Sequence, residues 1–386
     1  MNKFSGFFYI VILSILFSCD STDFSNPEDV VTRFRELTSK NENQLIYEDF
    51  LSAKSKELVS SDEFVQSCNI EDSILSSIAL LDRKVSSLPG DDNNASYRRF
   101  KVDERYVFKG DTAILRVYHT LINEDGKWKI IWTGSLETFA EKKFADGNYT
   151  EAKKVYEKII EINPYSGSAY DRIAWIYYRD HSIAKEEREE GIVKSANYAI
   201  ALEEDVSAHY NALANYYNIS GNINLAIHNY EKALSYSLNK IDKVQNYGNL
   251  SSSYLSKKEF EKAEEVIKKA IQIDESSAFN WTIYGKIYKA KRENTKAKEF
   301  FEVALKKSKM EGTLQGDLYY SYSICCFDEG ICGLAKEYAY KALDMSPNNS
   351  DYIDLLKYLE ICKEGTKDGF QWYENLKLFA EYFKNL

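Results

Sequence analysis

From about Thr138 to the carboxyl end, apolar residues recur at helical spacing, and the pattern repeats. One copy reads Tyr210-x-x-Leu213-Ala214-x-x-Tyr217, followed by Gly221, Ala226, Tyr230 and Ala233-Leu234. The next reads Tyr247-x-x-Leu250-Ser251-x-x-Tyr254, then Phe260, Ala263, Ile267 and Ala270-Ile271. A third reads Trp281-x-x-Tyr284-Gly285-x-x-Tyr288, then Ala297, Phe301 and Ala304-Leu305. Tyr247 and Trp281 stand 34 residues apart. Apolar positions at this spacing put one face of a helix into a core, so each copy predicts a helical pair. Ala140, Gly147, Tyr149, Ala152, Tyr156 and Asn163-Pro164 form an earlier copy. Tyr170, Ile173, Ala174, Tyr177, Ala196 and Ala199-Ile200 form another. Tyr319, Tyr322, Ser323, Gly330, Ala335, Ala342-Leu343 and Pro347 make a sixth, and 352–386 predict a terminal pair sealed by Phe370, Trp372, Tyr373, Leu376 and Phe379.

The residue sizes suit such a stack. Small residues such as Ala214, Ala226 and Gly285 let two helices approach, while Tyr217, Tyr230 and Trp281 fill the space between pairs. No pair buries its own apolar face, so stacking makes one continuous core. Other spacings are longer: 40 from Tyr170 to Tyr210, 37 to Tyr247, and 38 from Trp281 to Tyr319. The extra residues fall in turns such as Arg179-Asp180-His181-Ser182, where added length costs little entropy.

The amino-terminal part has another rhythm. Pro27 with Glu28 and Asp29 behind Ser25-Asn26 is a helix start, and Val30, Val31, Phe34 and Leu37 follow at helical spacing. Further helix is expected over 43–58 and 61–67. The turn formers Leu88-Pro89-Gly90-Asp91-Asp92-Asn93-Asn94 then give way to strand-like runs over 97–108, 112–122 and 128–132. Lys109-Gly110-Asp111 and Asn123-Glu124-Asp125-Gly126 are hairpin signals between them. Tyr106, Phe108, Ile114, Val117, His119 and Leu121 include the alternation of a half-buried sheet.

At the extreme amino end, Lys3 precedes the apolar run Phe7–Phe17, and Ser18-Cys19 follows. A basic start, a short apolar core and a small residue form the pattern of a secretory signal. The run is too short for the ~20 residues a spanning helix needs. A permanent helical anchor and a buried helix are the other readings. Leu16-Phe17-Ser18-Cys19 resembles the lipobox of bacterial lipoproteins. That resemblance implies cleavage before Cys19 and lipidation of its thiol and new amino end, including a palmitate-like chain. Two or more chains anchor stably where one does not. The expected organisation is signal peptide 1–18, polar tether 19–26, small α+β domain 27–136 and helical repeats 137–386.

Composition narrows the function classes. The 386 residues carry 60 Asp and Glu against 50 Lys and Arg, a net charge of −10. That argues against a nucleic-acid partner, which needs a basic face. Pro and Gly are scarce at 4 and 17 while Tyr reaches 30, which suits helices packed by large rings. After Cys19, the odd set Cys68, Cys325, Cys326, Cys332 and Cys362 is a poor disulfide framework. Buried thiols are the first expectation, with one or more disulfides or a metal site completed by Cys362 as alternatives. Adjacent residues on a helix diverge by about 100°, which works against the metal. No phosphate-cradling loop, zinc-protease helix or serine elbow is found, and no cofactor is expected. His119, His181, His209 and His228 are read as surface or interfacial, and the acid pairs Glu189-Glu190 and Glu264-Glu265 as solvated helix faces.

The repeated phrases resemble tetratricopeptide repeats, whose period is 34 residues. The expected fold is therefore an α-helical tetratricopeptide-repeat solenoid, about six repeats plus terminal helices, behind a small α+β domain. Helices followed by hairpins ending in Asp125-Gly126-Lys127-Trp128-Lys129-Ile130-Ile131-Trp132 resemble the cone-like nuclear-transport-factor-2-like domains.

In tetratricopeptide arrays the first helix of each pair lines a concave groove. The resemblance puts Asp171, Arg172, Trp175, Tyr178 and Arg179 there, then Asn211, Asn215 and Asn218, Asn249 and Ser252, and Thr282, Lys286 and Lys289. Asn211, Asn215 and Asn218 share one helical face and can both donate to and accept from a peptide backbone. Tyr177, Tyr217 and Tyr254 are expected in the core. The expected function is a non-enzymatic scaffold that binds a protein or peptide partner in the bacterial cell envelope. It is held to a membrane by its lipid, with the outer membrane preferred. Asp20 resembles an inner-membrane retention signal and keeps that membrane open. The alternatives are a ligand-binding or enzymatic α+β domain with the repeats as docking arm, and a glycan-binding lipoprotein in which Trp175 and Tyr178 stack on sugar rings.

Overall fold

The computed structural model describes residues 22–66, 79–88, 96–108, 111–307 and 313–360. The signal segment, Cys19, Asp20, Cys68, Cys362, the Pro89–Asn94 turn formers, Lys109-Gly110 and the terminal sealing residues lie outside them. The chain divides into two compact units, 1–203 and 204–386.

The first unit opens with α1 (Pro27–Ser39), capped by the Asn26 side chain, which accepts the Glu28 amide. Its Val30, Val31, Phe34 and Leu37 are buried, as their spacing predicted. The helix expected over 43–58 is broken instead. It comprises α2 (Asn43–Leu45), a π-helical turn over Ile46–Phe50, and α3 (Ala53–Lys56). Between them Leu51 turns extended and bridges Ile130, while the Ser55 hydroxyl accepts the Trp132 amide at 2.8 Å. Residues 61–66 are helical. The sheet is an antiparallel meander of four strands: β1 (Ala79–Ser87), β2 (Tyr97–Phe108), β3 (Asp111–Glu124) and β4 (Lys127–Ile130). Asp125 and Gly126 both take positive φ, at 53° and 80°, the tight two-residue turn that their sequence signals.

Register fixes the two faces. Arg83 pairs with Glu104, Val85 with Val102, and Phe100 with His119, so these side chains share the inner face. That face packs on α1 in a core of Phe34, Phe100, Val102, Leu121, Trp128 and Ile130. The outer face carries Asp103 and Arg116, joined at 2.6 Å. Behind the sheet come two helical hairpins, α4 (Gly134–Ala145) with α5 (Tyr149–Ile162) and α6 (Gly167–Arg179) with α7 (Lys185–Leu202). The sheet is tied to them. The Arg99 guanidinium donates to the Leu202 carbonyl and lies 5.5 Å from the Tyr165 ring, which Tyr97 also meets at 5.4 Å.

The second unit stacks further hairpins: α8 (Ser207–Ile219) with α9 (Ile223–Ser235), α10 (Lys240–Ser256) with α11 (Phe260–Ile273), α12 (Ala278–Ala290) with α13 (Asn294–Lys307), and α14 (Thr313–Asp328) with α15 (Cys332–Met345). The final described helix is α16 (Ser350–Glu360). Its core is continuous. Tyr247 and Tyr254 border the clusters on both sides of α10, and Trp281 and Tyr288 those on both sides of α12. A Cβ on Gly285 would stand 2.6 Å from the Phe301 ring, so this close approach requires glycine.

Cys325 and Cys326 are buried free thiols, and burial pushes both up to about 12. Cys332 is disulfide-bonded, so the expectation of buried thiols holds for the first two and not for the third. Among the described residues no group of His, Cys, Asp and Glu is placed to hold a metal ion. No described helix is long and apolar enough to cross a membrane.

Candidate functional site

Polar chemistry gathers in two kinds of place: the first helix of each hairpin and the inner face of the sheet. In the first unit, α6 carries Arg172, Trp175, Tyr178 and Arg179. Arg172 is spoken for, since its Nε lies 2.6 Å from Glu141 of the preceding hairpin and its guanidinium lies over the Phe144 ring. Glu141 also accepts the Tyr156 hydroxyl at 2.8 Å. Trp175 and Tyr178 are half-buried and meet edge to face at 5.4 Å, while Arg179 is exposed. Burial pushes the Tyr178 hydroxyl up from its ordinary value.

In the second unit the asparagine row is only partly open. The Asn215 amide donates to the Asn211 carbonyl at 2.8 Å, and its oxygen accepts the Tyr230 hydroxyl of α9 at 3.1 Å. Tyr230 and Asn215 thus repeat the pairing of Tyr156 with Glu141. The Asn218 oxygen accepts from Ser253 of α10 at 3.3 Å. Asn211 donates to the Ser207 carbonyl at 3.4 Å, while its oxygen is buried without a hydrogen-bond partner. Asn249 is half-buried on α10. Thr282 is buried and its hydroxyl is spent on its own helix, at the Ala278 carbonyl. Lys286 reaches Asp317 of α14 at 3.6 Å, and the half-buried Lys289 lies near Cys325. Position on the first helix was therefore legible, but several of these side chains act as staples between neighbouring helices.

Glu264 departs further from expectation. It accepts from Lys268, from Lys291 just past the end of α12 at 2.6 Å and from the Tyr288 hydroxyl at 3.0 Å. Burial alone would raise its carboxyl, but these donors hold it down to about 2. It is an anchor between hairpins rather than a solvated face.

A buried polar seam also runs through the second unit. His209, Asn246 and Asn280 each immediately precede Tyr210, Tyr247 and Trp281, and are 2%, 0% and 0% exposed. His209 is therefore interior. The Asn246 amide donates to Ser207 and Ser237 hydroxyls at 2.9 and 2.8 Å. Neither amide atom of Asn280 has a hydrogen-bond partner among the described residues.

The densest cluster is one the sequence did not single out. Glu104, on the inner face of β2, is fully buried. It accepts Arg35 Nε at 3.1 Å and Arg35 Nη2 in a second, shorter contact. It also accepts Arg83 Nε at 2.6 Å and the Tyr106 hydroxyl at 2.7 Å. Burial would raise the Glu104 carboxyl, but Arg35, Tyr106 and Arg83 hold it down to about 2. Burial and the Glu104 charge push Tyr106 up to about 12. His119, on β3, packs edge-on to Phe34 at 5.3 Å, with its Nε2 buried and unpartnered. Burial, then Arg35, lower it to about 3, so it is a neutral interior imidazole rather than a surface one. One signal was available: alternation places a carboxylate between Val102 and Tyr106 on an otherwise apolar face.

The family model of the tetratricopeptide repeat matches residues 144–166, 210–240 and 244–277. No curated protein matches the chain. Among solved structures it is similar to PilF of Pseudomonas aeruginosa, at a TM-score of 0.47 and 14% identity over 58% of this chain and 96% of that one. It is similar to PilW, a type IV pilus biogenesis factor, at 0.48 and 15% over 58% and 97%. It is similar to a tetratricopeptide repeat protein of Parabacteroides merdae at 0.48 and 14% over 58% and 83%. The hairpins of this chain include tetratricopeptide repeats.

Proposed function

We propose that this protein is a lipid-tethered scaffold of a bacterial cell envelope that holds a protein or peptide partner on the first helices of its repeats. The observation that carries the reading is the polar face of α8. There Asn211, Asn215 and Asn218 align, and the Asn211 oxygen is left without a partner. A buried acceptor without a donor is costly, and outward rotation of the half-buried Asn211 side chain would offer it to an incoming backbone amide. Binding modules of this kind work through contacts rather than turnover, and repeats present them on a rigid stack. Lipidation at Cys19 would confine the module to a membrane plane and raise the effective concentration of membrane-bound partners. The disulfide at Cys332 supports export, because such bonds persist in oxidising compartments. The small α+β region, helices followed by an antiparallel meander, is read as a nuclear-transport-factor-2-like cone.

Two measurements test this. Alanine at Asn211, Asn215 and Asn218 together is expected to abolish capture of the partner recovered from native membranes with the wild-type chain; undiminished capture sinks the assignment to α8. Cys19→Ser is expected to release the protein from washed membranes, and retention there would show that lipid is not the anchor.

A further inference from the structure

The Arg35–Arg83 cluster carries more donors and more charge than Glu104 can use. A carboxylate offers about four acceptor sites, and Arg35 Nε, Arg35 Nη2, Arg83 Nε and the Tyr106 hydroxyl occupy them. Arg83 spends one further donor on the Arg35 carbonyl at 3.1 Å. Each guanidinium has five N–H groups, so several remain, and among the described residues they meet no other acceptor. Two cations face one anion, and His119 adds no charge because it is neutral. The nearest other carboxylate along the strand, Asp103, points to the opposite face and is held by Arg116. The cluster is also reachable: the Arg35 and Arg83 side chains keep 13% and 14% of their surface.

The flanks are apolar and open. Leu115 sits directly opposite Glu104 on β3, and Leu80 opposite Tyr106 on β1, so both belong to the inner face. They are 41% and 39% exposed. Surplus guanidinium donors beside exposed leucines suit a ligand that is anionic at one end and apolar along its body. We propose that this end of the sheet binds a small amphipathic monocarboxylate, with its carboxylate on the spare donors of Arg35 and Arg83 and its body along Leu80 and Leu115. A planar carboxylate matches the fork of a guanidinium and takes two parallel hydrogen bonds from it.

The test is calorimetric titration of the full chain in detergent with octanoate, with octanamide and inorganic phosphate as comparison probes. Octanoate is expected to bind once per chain, and octanamide about tenfold more weakly or worse, a difference of ~1.4 kcal/mol. Phosphate, lacking the body, is expected to bind about tenfold more weakly than octanoate as well. Arg83→Met should remove octanoate binding. Because that change also loosens Glu104, Leu115→Glu is the second variant. It leaves the ion pairs in place, sets a negative charge beside the carboxylate, and is expected to weaken octanoate at least about tenfold with an unchanged circular dichroism spectrum. No octanoate binding by the wild-type chain, equal affinity for octanamide or phosphate, or full binding by Leu115→Glu would each overturn the proposal. Partner capture on α8 is a separate readout that neither variant touches.

Discussion

The α+β region and the hairpins of the second unit bury polar groups in opposite ways. In the first, one carboxylate sits at 0% exposure and every acceptor site it offers is filled from two arginines and a tyrosine. In the second, Asn280 sits at 0% exposure with neither amide atom partnered. The difference follows from the size of the penalty. An unpaired buried charge costs more than a protein can carry, so a buried Glu exists only inside a completed network. A neutral amide costs less and is tolerated where the packing around it is good. Asn280 packs that closely: a Cβ on Gly248 of α10 would lie 2.4 Å from its side-chain oxygen.

The largest expected effect comes from breaking the filled network. Glu104→Gln keeps the shape but leaves two guanidinium groups without their anion. It is expected to lower the stability of the sheet by about 3–5 kcal/mol. Hydrogen exchange of the β2 and β3 amides checks this locally, since those amides report the opening of the sheet itself. A loss below about 1 kcal/mol would mean that the arginines find water instead, as surface pairs do, and the comparison between the two regions would collapse.

The same contrast explains what could be read from sequence. The hairpins were legible because their contacts are local and periodic. Ala214, Ala226, Tyr230, Gly285 and Phe301 each declare a size at a fixed place in the repeat, and all five do what that size implies. The α+β region was legible only where local rules operate, as at the Asn26 cap and the Asp125-Gly126 turn. Strand β1 was not foreseen. Its register shifts between Leu80 and Asp82, and such a bulge resets the alternation that would have marked it. The break of the 43–58 helix was hidden as well, because Leu51 and Ser55 find their partners, Ile130 and Trp132, more than 70 residues away. Arg35 and Glu104 are 69 residues apart, and nothing near either one announces the other. The groove candidates lie on the first helices of their hairpins. Their pairings, Arg172 with Glu141 and Lys286 with Asp317, join different hairpins and needed the stack to be built.

A smaller change should act in the favourable direction at Asn280. Asn280→Leu replaces two unpartnered polar atoms with methyl groups of similar bulk. Removing that penalty is expected to stabilise the second unit by about 1–3 kcal/mol. Exchange protection of the α10 and α12 amides should rise accordingly. Destabilisation by that substitution would show that the amide has found a partner in solution, and the seam formed with Asn246 and His209 would then be a completed network like the one around Glu104.

The smallest effect separates structure from binding within the asparagine row. Tyr230→Phe removes the hydroxyl that donates to Asn215, so it should cost about 1 kcal/mol. Asn215→Ala removes both that acceptor and the amide's own bond to the Asn211 carbonyl, and should cost somewhat more. Asn211→Ala removes an oxygen that has no partner together with one long hydrogen bond to the Ser207 carbonyl, opposing changes that should leave the fold's stability nearly unaltered. If α8 grips a peptide, capture and stability must come apart along this series. Tyr230→Phe should lose stability and keep its partner, while Asn211→Ala should keep stability and lose it. Capture that instead follows stability through all three variants would assign the row to packing. Asn211, Asn215 and Asn218 would then belong with Glu141 and Glu264, as polar groups that hold one helix to the next.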